Sequence, residues 1–244
     1  MLIQFLFAFI LFFSHFNLIS WNVFLYASLW GSSYALLTLL QMHALHYVET
    51  NTLFPITSVS ALTVSVIAGY FLFGDILSYL QILGILLVIL TVFLFVYKSS
   101  KIKWSKYVLL FGLGIIFFST FNKIIQKFGV DTGDIYNLQI YQYFIGLLLV
   151  GILMFIFERK KYNLEKFKLS IKSGFLIGSF AFFGGFALLI ALSKGPFSLI
   201  TSIHSLYILI TAIIAFFMFN EELTLKKILL ICLAIIAVLL MRLG

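Results

Sequence analysis

The chain alternates apolar runs of membrane-spanning length with breaks too short to house a domain. The runs cover 1–16, 21–45, 52–73, 77–97, 105–127, 135–157, 173–192, 197–219 and 224–242, and the breaks include "GD", "SKGP" and "NEEL". A helix rises 1.5 Å per residue, so about 20 apolar residues cross the roughly 30 Å hydrocarbon core of a bilayer. These runs predict an all-α polytopic membrane protein with nine readable transmembrane helices. Only 10% of the 244 residues are charged, too few to cover a water-facing surface.

The 16 Lys and Arg outnumber the 8 Asp and Glu. Assigning the breaks alternately to two faces puts twelve of the 16 on one side, among them Lys98, Lys101, Lys103, Arg159, Lys160 and Lys227. Basic loops of this kind suit the cytoplasm or anionic lipid and exclude nucleic acid as the expected partner. The positive-inside rule then places the C-terminus outside. The single Cys232 lies inside an apolar run, so neither a disulfide framework nor a metal motif is present. "MLIQFLFAFILFF" has no basic start and no small-residue cleavage site, and it reads as a membrane segment.

A polar phrase is written twice. "FGDILSYLQILG" at 73–84 interrupts one apolar stretch, and "FNEELTLKKILL" at 219–230 interrupts another. Placing Asp75 on Glu221 also places Leu77 on Leu223 and Ser78 on Thr224, an offset of 146 residues. Five spans separate the copies, and an odd-numbered repeat inserts its second copy upside down. Inverted-topology halves are common in secondary transporters, whose substrates bind between the halves near the bilayer midplane. The two acids read as N-cap or first-turn residues of the helices they open, where negative charge suits the positive dipole end.

These residues resemble the EamA-like family of the drug/metabolite transporter superfamily. Its repeat carries a Pro, an apolar helix and then G-E-x-L-[ST]-x-x-Q-x-x-G, matched here by Pro55, Gly74, Asp75, Leu77, Ser78, Gln81 and Gly84. The second copy runs from "ALSKGPFSLITSIHSLYILIT", with Pro196, to Glu221, Leu223 and Thr224. Departures are Asp75 for Glu, Asn220 for Gly, Lys227 for Gln, Leu230 for the last Gly, and Thr201 where a Pro is expected.

The resemblance implies two inverted repeats on a ten-helix plan that lacks its first helix here. The repeats would be 1–98, shortened to about four helices, and 108–244, with five, joined by a basic linker at 99–107. It also implies export or exchange of small metabolites, amino acids or drugs across the plasma membrane by alternating access. No enzyme activity and no cofactor are expected. The expected partners are a small-molecule substrate and the lipid bilayer, with a coupling proton and a homodimer as open alternatives. In the family the C-terminus is more often cytoplasmic, against the charge tally. The rival reading is a non-transporting polytopic protein, an assembly or regulatory partner or an inactive truncated transporter.

Polar side chains inside membrane spans are functional candidates by default. In 135–157, Asn137 and Tyr141 share one face, Gln139 and Tyr143 another, and Gln142 and Tyr143 lie deeper. Asn137 reads equally well as an interfacial anchor. His204 lies about two turns into its run; it can titrate near neutral pH, or make one interhelical hydrogen bond worth about 0.6 kcal/mol. The expected substrate-binding set is Tyr34, Ser60, Gln142, Tyr143, His204 and Tyr207. The small hydroxyls of "TSVSALTVS", and Gly178, Gly184 and Gly185, read as close helix packing. No catalytic pair, phosphate loop or metal-ligand cluster is legible.

Overall fold

A computed structural model describes residues 1–16, 20–47, 50–97, 106–157, 164–207, 209–210 and 225–244. Each predicted run contains a helix: α1 (Leu2–Phe12), α2 (Trp21–Ala44), α3 (Thr50–Phe73), α4 (Tyr79–Tyr97), α5 (Lys106–Val130), α6 (Ile135–Phe157), α7 (Leu164–Lys194), α8 (Phe197–Ser205) and α9 (Leu225–Leu243). No strand occurs among the described residues. Trp21–Ala44, Ile135–Leu153 and Ile171–Lys194 are long and apolar enough to cross a membrane.

Two helices depart from the sequence expectation. Residues 164–172 continue into α7, giving one helix of 31 residues that begins well before the apolar run at 173–192. No Gly or Pro interrupts "LEKFKLSIKS", so the backbone ladder runs on. By contrast, α8 stops at Ser205 in the middle of its run, and helix resumes at Tyr207 after a turn at Leu206.

The helices bury one side and expose large apolar groups on the other. On α4, Ile85, Val88 and Val92 are buried, whereas Leu83, Leu86, Leu90 and Phe93 are exposed. In water so much exposed hydrocarbon would drive association; in lipid it is the ordinary outward face.

The chain divides into two compact units, Met1–Leu39 with Ile124–Lys194, and Leu40–Lys123 with Gly195–Gly244. In the first unit α1 packs on α6 and α7. Its core is aromatic: Ala8, Phe12, Ile140, Tyr143 and Phe182 are buried together, and the rings of Phe12 and Phe186 lie 4.8 Å apart.

In the second unit α3 packs on α8 and α4 on α9, around an aliphatic core of Leu62, Ile85, Val88, Val92, Leu206, Ala237 and Met241. Both pairs are antiparallel. The α3 end meets the α8 start through Phe73 and Phe197, 4.9 Å between ring centroids, while Leu62 and Leu206 share the core further on. Ser78 and Leu80 at the start of α4 lie against Gly244 just beyond α9, and Gly84 faces Ala237 and Met241. A Cβ on Gly84 would come within 2.8 Å of the Ala237 carbonyl oxygen, so only glycine permits this crossing. With no hydrophobic drive between helices in lipid, such close van der Waals packing supplies the association.

Candidate functional site

The repeated phrase resolves into a set of caps. Gly74 takes φ +62°, the left-handed region that glycine enters without strain, and turns the chain back at the end of α3. The Asp75 amide then donates to the Gly69 carbonyl at 3.2 Å. Asp75 does not cap the helix it precedes. Its Oδ2 accepts the backbone N–H of Ser198, the second residue of α8, at 2.7 Å. The helix α4 is capped instead by Ser78 and Gln81. The Gln81 amide donates to Ser78 Oγ at 3.2 Å, and the Ser78 amide donates to Gln81 Oε1 at 3.0 Å. This reciprocal pair is a capping box, and S-x-x-Q is its sequence form.

Gly69 makes room for the cross-chain cap, since a Cβ there would meet Asp75 Oδ2 at 2.7 Å and Ser198 Oγ closer still. Pro196, as N-cap of α8, accepts the Ile200 amide at 3.2 Å. The side chain of Pro55, and all of Glu221, Leu223 and Thr224, lie outside the described residues.

A different kind of polar group lies in the first unit. Gln139, Gln142 and Tyr143 share one face of α6 at i, i+3 and i+4, and are 0%, 1% and 4% exposed. Gln139 Nε2 donates to Tyr143 Oη at 3.3 Å. Tyr34 on α2 shares a hydrogen bond with the buried Gln4 of α1 and stands within electrostatic reach of Tyr143. On α7, Gly185 presents bare backbone here: a Cβ would be 3.3 Å from Tyr143 Oη.

Helices α2 and α6 cross backbone to backbone. A Cβ on Gly31 would lie 2.6 Å from the Gln142 carbonyl oxygen and 3.1 Å from the Gly146 amide nitrogen. Beside that crossing, Trp30 is buried. Among the described residues Gln139 Oε1, Gln142 Oε1 and Trp30 Nε1 have no hydrogen-bond partner. Leaving a buried polar group unpaired costs about 1–3 kcal/mol, and water is not at hand to relieve it inside a bilayer. Two acceptors and one donor are thus left open beside the α2–α6 crossing among the described residues.

Of the expected residues, Tyr34, Gln142 and Tyr143 fall within the first unit. Ser60, half-buried on α3, and the exposed His204 and Tyr207 belong to the second. The His204 and Tyr207 rings are 5.7 Å apart, and the His204 imidazole makes no hydrogen bond among the described residues. Asn137 serves the helix end: its Nδ2 donates to Asp134 Oδ2 at 2.7 Å and to the His15 carbonyl at 3.3 Å. Gln4 and Trp30 escape sequence reasoning, although Gln4 is the one polar residue in "LIQFLFAFILF". Gln139 was legible through its spacing from Tyr143, but not its unpaired oxygen.

The family model of EamA-like transporters matches residues 106–243. The chain belongs to the EamA-like transporter family. A comparison with curated proteins finds no match. Membership makes it a multi-pass membrane transporter of the drug/metabolite type. The matched EamA-like segment carries α5 to α9, and with them Gln139, Gln142, Tyr143 and His204.

Proposed function

We propose that this EamA-like protein is a secondary transporter exporting or exchanging small metabolites, amino acids or drugs across the plasma membrane by alternating access. Its solute binds at Tyr34, Gln139, Gln142 and Tyr143. The observation that carries this reading is that Gln139 Oε1, Gln142 Oε1 and Trp30 Nε1 are buried with no hydrogen-bond partner among the described residues. A bundle held for structure alone gains nothing from such groups, whereas a transporter needs donors and acceptors that a solute completes. The cluster's uncharged amides and phenols suit a neutral or zwitterionic solute. The inverted plan has support as well. α3 and α8 precede the last helix of their respective repeats, α4 and α9 are those last helices, and each pair packs antiparallel, as inverted copies require.

Flux into proteoliposomes, measured over a panel of amino acids and cationic drugs, tests the reading. Gln142→Leu and Gln139→Leu are expected to lower flux by about tenfold or more, the equivalent of 1.4 kcal/mol. Unchanged flux in both variants would remove the site. No flux by the wild-type chain over the whole panel would remove the transport reading.

A further inference from the structure

The first unit also holds an open cup of about 360 Å³ whose walls share no residue with the amide cluster. Ser20, Asn22 and Tyr26 line it from the start of α2, and Phe128, Asp131 and Thr132 from the end of α5. One wall is aromatic: the Tyr26 and Phe128 rings stack, with 6.1 Å between centroids and 14° between planes. Trp21, between Ser20 and Asn22 in the chain, is 72% exposed. Its ring lies 5.9 Å from Phe24, which lies 6.3 Å from Tyr141, itself 5.8 Å from Phe16. A row of aromatic rings at helix ends marks the level of the lipid headgroups.

Asp131 is the one charged residue among those described around the cup. Its Oδ1 accepts from Lys127 Nζ at 2.9 Å, and the same ammonium donates to the Leu192 carbonyl at 3.0 Å. Asp131 Oδ2 accepts no hydrogen bond among the described residues, although an ionised carboxylate has room for about four. The Thr132 hydroxyl donates to the Gly129 carbonyl at 2.6 Å, which leaves its oxygen as an acceptor. Ser20 Oγ accepts the Val23 amide at a long 3.5 Å. The walls thus offer several oxygen acceptors, one of them ionised, against an aromatic surface.

We propose that this cup seats a primary ammonium group. Asp131 Oδ2 supplies the counter-charge and accepts one N–H, a charge-assisted hydrogen bond. The hydroxyl oxygens of Thr132 and Ser20 accept the others, and the Tyr26 and Phe128 rings favour a cation within about 6 Å. A quaternary ammonium has no N–H for these oxygens, and an anion meets Asp131 with like charge. The ammonium belongs either to the headgroup of an aminophospholipid or to a free amine at the membrane surface. This seat goes beyond the transport reading and does not depend on it.

Thermal unfolding of the full chain in an uncharged detergent tests the seat. Ethanolamine is run beside choline and ethylene glycol, and phosphatidylethanolamine beside phosphatidylcholine in the micelle. Ethanolamine or phosphatidylethanolamine is expected to raise the midpoint by about 2–4 °C, while the three controls do not. A shift with the lipid alone assigns the seat to a headgroup, and a shift with ethanolamine alone to a free amine. Shifts with both make the ammonium itself the recognised group. Asp131→Asn is expected to abolish the shift. Asn22→Leu, at an exposed position outside the ion pair, fills the cup and weakens it, and decides the matter should Asp131→Asn not fold. Lys127→Met breaks the same ion pair but frees Asp131 Oδ1, so the shift persists or grows. No shift with either amine, or equal shifts with choline or ethylene glycol, would overturn the proposal. So would a shift that survives Asp131→Asn, is unchanged by Asn22→Leu, or is lost in Lys127→Met. Binding is read without flux, so failure here leaves the amide cluster standing, and failure of transport leaves this seat standing.

Discussion

In the second unit the Asp75 carboxylate meets the Ser198 amide at 2.7 Å, and Ser78 and Gln81 satisfy each other's backbone donors. In the first unit the amide oxygens of Gln139 and Gln142 are buried on α6 and meet no donor among the described residues. Both regions spend polar residues inside an apolar chain. One set closes on itself and fixes where helices start; the other is left open. In lipid the two uses are easier to tell apart than in water, because a loose polar atom has no solvent to turn to. The two sets differ in their state of satisfaction.

The contrast yields graded tests. The largest effect is expected at the α2–α6 crossing, where Gly31→Ala drives a Cβ against the Gln142 carbonyl. The obstacle is backbone and cannot rotate away. A loss of about 3 kcal/mol in reversible unfolding in detergent follows, together with loss of flux. Second, Asp75→Ala leaves the Ser198 amide without its charged acceptor, and is expected to cost about 2 kcal/mol in the same measurement. Gly69→Ala should act in the same direction by displacing that carboxylate. Third, Ser78→Ala removes half of the capping box and should cost about 1 kcal/mol. The smallest effect on stability is expected for Gln139→Leu with Gln142→Leu: unfolding stays level or improves while flux falls. A fall in stability there as large as that of Asp75→Ala would erase the distinction between the two regions.

Helix positions were legible because a spanning backbone must satisfy its own hydrogen bonds, so run length alone implies helix. The break in α8 was not. No Gly or Pro marks it; instead Thr201, Ser202 and Ser205 bond back to the carbonyls of Phe197, Ser198 and Ser202. Hydroxyls that compete for backbone carbonyls bend helices, but only their rotamers say so. The capping role of Ser78 and Gln81 was written locally, three residues apart. That of Asp75 was not, because its partner is 123 residues further along the chain. The i, i+4 relation of Gln139 and Tyr143 could be read from one helix, whereas the unfilled oxygens depend on where α1, α2 and α7 come to rest.

That separation of 123 residues between Asp75 and Ser198 also sets an order of assembly. At synthesis rates of about 5–20 residues per second, the acid emerges roughly 6–25 s before the amide it will hold. The hairpin of α3 and α4 is therefore inserted with its acid unpaired, and the later arrival of α8 completes it. The first half of this transporter is finished by the second, so a ribosome that stalls before Ser198 leaves behind a hairpin with an unclaimed charge at its turn.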